Sequence, residues 1–137
     1  MSYTACLTAL QGKLAAVSGL SSGTVLKYTP AALHTTPIMW LLIDGFANDA
    51  GMDSFDEEET EYRILARLAV AWSDNEGAEL QLIPFIDSVQ VAVDADPTLG
   101  LGGDVDARVE SGDGGWVDIA GVTYRIMDFM ITVSDTV

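Results

Sequence analysis

The last third of the chain, Pro97–Val137, reads PTLGLGGDVDARVESGDGGWVDIAGVTYRIMDFMITVSDTV. Val122, Tyr124, Ile126 and Met130 occupy one phase of a period-two pattern, and Met127, Phe129, Ile131 and Val133 occupy the other. Alternate residues of a strand face opposite sides of a sheet. The run therefore predicts a strand that is apolar on both faces and needs cover on both. One cover is expected from a helix of the same chain, the other from a further layer or a neighbouring molecule. Upstream, Asp104–Glu110 and Trp116–Ile119 also read as strands. Ser111-Gly112-Asp113-Gly114-Gly115 and Ala120-Gly121 have the composition of turns between adjacent antiparallel strands. Three closing strands are thus expected over about residues 104–133.

Working back from that region, the elements alternate in kind. Leu82, Phe85, Ile86, Val89 and Val93 recur at helical spacing and predict a helix over about residues 77–94. Ser73 followed by Glu76 has the form of a capping box at its start. Pro84 either kinks this helix or stands in its first turn. In Glu61–Ser73, six alternate positions from Tyr62 to Trp72 are apolar, which favours one long strand. Ile38–Ile43 is a continuous apolar run of strand length, and Thr24–Tyr28 a short strand. Between these two, Pro30–Pro37 is an irregular connector. Leu7, Leu10, Leu14 and Val17 predict an N-terminal helix over about residues 2–18, with Ser2 as N-cap and Gly19 at its stop. Gly12 inside it suggests a close contact, since glycine costs a helix about 1 kcal/mol relative to alanine.

The remaining stretch, Asp44–Glu61, holds eight acidic residues and no base. Two glycines and no periodicity predict a loop over about residues 44–60. Like charges push such a loop outward, and it is expected to order only against a partner. The whole order predicts a single α+β domain: a largely antiparallel sheet, two helices packed on one face, and a long acidic loop.

Composition narrows the function. The 137 residues carry 21 acids against 6 Lys and Arg, a formal net charge of −15. A protein that reads nucleic acid, or binds an anionic membrane, needs a basic face. Cys6 is the only cysteine, so no intrachain disulfide forms and a small buried thiol is expected. No apolar run is long enough to span a membrane, and no basic region precedes an apolar core as in a secretory signal. His34 has no nucleophile or orienting carboxylate near it in any recognisable motif, so it reads as a solvated loop residue. Asp94, Asp96, Asp104 and Asp106 frame a glycine-rich turn without EF-hand spacing. Gly100–Gly103 lacks the lysine of a phosphate loop. The expectation is a non-enzyme with no cofactor and no dedicated metal site.

The residues from Pro97 to Val133, an acidic helix end followed by PTLGLGG, a polar strand, a glycine turn and AGVTYRIMDFMITV, resemble the tail terminator (tail completion) proteins of long-tailed bacteriophages. The wider order is similar: an N-terminal helix, a strand ending at Tyr28-Thr-Pro30, a Leu33…Pro37 connector, an apolar strand, an acidic loop, a strand ending at Trp72, and a helix carrying Asp87. The resemblance implies a structural virion protein in the tail and neck region, assembled in the host cytoplasm. It implies a hexameric ring that caps the head-proximal end of the tail tube, stops its polymerisation and docks the head-side connector. Its partners would be other copies of itself, the tube protein, the connector or stopper, and the tape measure protein as a further contact. DNA would pass through without specific binding. On this reading Asp49, Asp53, Asp56, Glu57, Glu58 and Glu59 form a partner or lumen loop, with Asp104 and Asp106 as secondary lumen acids. Ile126, Met127, Phe129, Met130 and Ile131 become the inter-subunit candidates. Two alternatives stand beside it: a tube or connector protein of the same architecture, and a cellular acidic interaction domain that binds calcium as a monomer.

Overall fold

The computed structural model describes residues 2–50 and 58–136. The chain runs α1 (Tyr3–Ala15), β1 (Val25–Leu26), β2 (Ile38–Ala50), β3 (Glu58–Ala71), α2 (Asn75–Asp94), β4 (Val105–Ile119) and β5 (Val122–Thr136). The strands form one sheet in the order β1-β2-β3-β5-β4. Only the β1–β2 pair is parallel; the other three are antiparallel. The single α+β domain read from the sequence is what the chain adopts.

Both helices cover one face of the sheet. In α1, Cys6, Leu10 and Leu14 come round every four residues, and all three are buried. In α2 the buried stripe is Ala78, Leu82, Phe85, Val89 and Val93. They meet Met39 and Leu41 of β2, Ile64, Ala66, Leu68 and Val70 of β3, and Phe129, Ile131 and Val133 of β5. Fully burying each large apolar side chain is worth about 1.5–3 kcal/mol, so this layer dominates the stability. Ser2 caps α1 as expected, its hydroxyl accepting from Ala5 N at 3.1 Å.

The other face carries a smaller cluster of Ile38, Trp40, Ala69, Ile119, Tyr124 and Ile126, with Leu26, Leu33, Leu42 and Val117 packed against it. Leu33 belongs to the proline-bracketed connector between β1 and β2. The second cover that β5 requires is therefore supplied in part by the chain's own connector.

Several expectations are corrected. Residues 44–50 and 58–60 are not loop: β2 continues to Ala50 and β3 begins at Glu58, with Asp49 in register with Glu59 and Ala50 with Glu58. Backbone pairing across the hairpin needs no hydrophobic period, so the composition concealed it. Ser111–Gly115 is not a turn but the middle of β4, held in the ladder by β5. The true turn is Ala120-Gly121, both with positive φ (52° and 80°), as a two-residue hairpin loop of the inverted type demands. The N-cap of α2 is Asp74, which accepts from Gly77 N at 2.6 Å, not Ser73. The helix runs through Pro84 in its tenth position. Around Gly12 a Cβ would meet nothing within 4 Å, so the close contact expected there does not exist.

Candidate functional site

Two bulges decide which side chains the molecule presents. In β2 the register slips between Ile43 and Gly45, so Asp44 is the extra residue. A bulge puts two residues opposite one and reverses the facing of everything after it. Met39, Leu41 and Ile43 face the helix side; beyond the bulge, Phe46 and Asn48 do so instead. Ile43 and Phe46 lie past the end of the helix layer and stay 69% and 66% exposed. With Tyr3, Tyr62, Thr60, Gly45 and Asn48 they line an open, mainly apolar groove of about 610 Å³. Tyr3 and Tyr62 meet edge to face at 5.6 Å between ring centres. Burial raises the Tyr3 phenol, with Cys6 adding to the effect, so Tyr3 is uncharged at neutral pH.

The bulge itself is fastened. Arg63 Nε reaches Asp44 Oδ2 at 3.6 Å. Its guanidinium crosses the backbone at Gly45, where a Cβ would come 2.5 Å from Nη2. Glycine permits that close approach, and any side chain here would have to push the guanidinium aside. The β2–β3 hairpin beyond this point forms an arm with an apolar helix-side face, ending in an acidic segment.

The second bulge is in β4, where the register slips between Val109 and Ser111. Val105, Ala107 and Val109 face the helix layer; after Glu110, Gly112, Gly114 and Trp116 do. Trp116 is thereby placed beside Trp72 at the end of β3, the rings edge to face at 5.0 Å. Arg125 lies over the Trp116 ring at 5.0 Å. The arm groove and this tryptophan pair stand at opposite ends of the same sheet.

The sheet also has two open edges. β4 is an edge strand along all 15 residues. Apart from Val105 N donating to Gly102 O at 3.3 Å and Ala107 N donating to Pro97 O at 2.7 Å, no backbone partner meets its outer side among the described residues. On the far side, β1 pairs only with Met39 and Trp40 of β2. From Leu41 onward the outer edge of β2 has no strand beside it among the described residues.

The sequence candidates fall as follows. Asp49 and Glu58 lie in the paired strands of the arm, and Glu59 is exposed there. Asp53, Asp56 and Glu57 lie outside the described residues. Asp104 is exposed and Asp106 binds Arg108 at 2.7 Å. Of the inter-subunit candidates, Ile126, Phe129 and Ile131 are buried within their own chain at 4%, 2% and 0% exposure. Met127 packs against the helix-side core, and only Met130 stays half-buried on the opposite face. β5 lies between β3 and β4, so both of its edges are paired within its own chain. Helices cover one face of β5, and the connector covers part of the other.

Charge is arranged in one direction. Five of the six lysines and arginines are ion-paired: Lys13 with Asp96 (2.7 Å), Arg63 with Asp44, Arg67 with Asp128 (2.8 Å), Arg108 with Asp106, and Arg125 with Glu79 (2.8 Å). The sixth, Lys27, donates to the Thr8 hydroxyl at 3.0 Å. Arg67–Asp128 is bidentate on the face away from the helices, and that bonding raises the Arg67 guanidinium. Cys6 is buried and its thiol is pushed up to about 11, chiefly by burial and further by Asp135, so it is no nucleophile. Among the described residues no group of three metal-ligating side chains converges. No family model matches the sequence, and no curated protein matches it either.

Proposed function

We propose that this protein is a structural ring component of a long-tailed phage, capping the head-proximal end of the tail tube and docking the head-side connector. The observation that carries the ring is the pair of open edges on opposite sides of one sheet. An edge strand is a template for pairing. Two different edges meeting head to tail make a heterologous contact, which closes into a ring when the rotation per copy is right. The strand directions suit it: continuing the antiparallel order, β4 of one copy can lie antiparallel to β2 of the next.

The acids supply control. The outer edge of β4 carries Asp106, Glu110, Asp113 and Asp118, and each copy is at −15, so free copies repel. Association then waits for screening or for the tube end, which keeps the cap from polymerising by itself. Six copies would total about −90 before counterions. With five of the six bases ion-paired and only Lys27 left without a carboxylate among the described residues, such a ring offers phosphate few cations to hold, so duplex DNA slides through. The arm groove, with Ile43 and Phe46, is the surface assigned to the tube or connector.

Paired cysteines test the ring. Chains carrying both Ala47→Cys on β2 and Asp113→Cys on β4, with Cys6→Ala, are oxidised on tail tubes. The expected product is a covalent ladder ending in a closed species, whereas each single variant gives no ladder. Dimers from Asp113→Cys alone would mean a two-fold edge contact and no ring. Reconstruction of the particle separates cap from tube: this chain in every ring down the tail would overturn the capping role.

A further inference from the structure

We infer that Trp72 and Trp116 form a preorganised docking platform for a basic, apolar segment of another protein. About half of each indole is open, at 45% and 49% exposure. Both rings are nonetheless held. The Trp72 indole N–H donates to Asn75 Oδ1 at 3.0 Å. Trp116 is clamped between Trp72 and the Arg125 guanidinium. Arg125 is itself fixed, Nε donating to Glu79 Oε1 at 2.8 Å and Nη1 to the Gly115 carbonyl at 2.7 Å. Large aromatic surface whose rotamers are already fixed loses little entropy on binding, which is why such rings dominate recognition.

The chemistry of the occupant follows from the charge around the platform. Asp74 and Glu76 stand exposed at the start of α2, Glu79 one turn on, and Asp118 on the helix side of β4 close to the hairpin turn. No lysine or arginine lies there except Arg125, whose charge Glu79 and the Gly115 carbonyl already meet. Tryptophan is the strongest aromatic partner for a cation, and the flanking carboxylates attract one over distance. A second copy of this chain is a poor occupant, because five of its six bases are ion-paired and its net charge of −15 repels. The inference does not depend on the ring: the platform lies at the end of the sheet remote from the arm.

The test uses the whole protein with a short peptide alternating lysine and leucine, and a glutamate–leucine peptide as control, followed through the indole N–H signals in nitrogen-15 NMR. The lysine peptide should shift the Trp72 and Trp116 signals and leave that of buried Trp40 in place. Trp72→Ala and Trp116→Ala should each weaken binding about tenfold, Trp116→Phe less, and Phe46→Ser in the arm not at all. Affinity should fall as salt rises. Equal affinity in all variants would reduce the effect to unspecific attraction and overturn the platform. So would indole shifts that follow protein concentration without peptide, since they would make a second copy the occupant. Retained platform binding in a variant that forms no ring would leave this inference standing while the ring reading fails.

Discussion

Gly12 and Gly19, seven positions apart, have opposite fates on substitution. Gly12 lies inside α1 with open space around it, so Gly12→Ala should raise stability by about 1 kcal/mol through helix propensity. Gly19 has φ of 93°, and a Cβ there would stand 2.9 Å from Phe85 Cζ. Gly19→Ala must pay in backbone strain and displace a core ring of α2, a loss of about 2–4 kcal/mol. Urea denaturation of both variants checks the pair. Asp96 shows a pH effect of definite sign. The hydrogen bond from Lys13, then that from the Thr98 hydroxyl at 2.8 Å, holds its carboxyl below the usual range. A depressed folded pKa gives stability that is complete above the ordinary carboxylate value and is lost as pH falls through the depressed one. The stability gap between wild type and Asp96→Asn should therefore be open at neutral pH and close below about pH 4.

At the scale of elements, the arm yields the sharpest contrast between composition and structure. Acidic, aperiodic sequence suggests a segment that exchanges its amide hydrogens freely. The ladder of Gly45–Asn48 with Thr60–Arg63 predicts instead that inward amides of both strands are protected. Hydrogen exchange on the free protein decides it: uniform fast exchange from Gly45 to Asn48 would show that the arm is not a formed hairpin in solution. The bulge makes a second element-scale prediction. Gly45→Ala should drive Arg63 from Asp44 and disturb the groove while costing little stability, because a flexible guanidinium can move aside. On the proposed function its effect should be read in tube or connector binding and not in unfolding.

For the whole molecule, like charge sets the behaviour. Copies that associate through sheet edges while each carries −15 must overcome repulsion, which salt screens over about 10 Å at 0.1 M. Sedimentation should find self-association increasing with ionic strength, the reverse of what a basic partner shows on the tryptophan platform. Duplex DNA should not be retained by the protein even at low salt, where phosphate contacts are strongest. A salt-sensitive complex with DNA would mean that Lys27 or one of the paired bases holds phosphate, and would count against the proposed acidic passage.

What the sequence by itself determined was everything carried by local period. The apolar stripes of α1 and α2, the alternation along β3 and the two-faced pattern of β5 were all legible, because a residue's facing within one element follows from its spacing to near neighbours. The α+β class follows from their order. Tertiary structure alone decided the rest. Whether Ser111–Gly115 turns or stays extended depends on β5 lying beside it, since glycine permits both. The two bulges, at Asp44 and Glu110, are set by pairing register, a relation between distant residues, and they determine that Phe46 and Trp116 come to the helix side. Part of the cover on the face away from the helices comes from Leu33, in a connector whose own composition says only that it is irregular. So three of the five residues expected at a subunit contact, Ile126, Phe129 and Ile131, are core, and the open edges and the sheet ends are features that no single stretch of sequence describes.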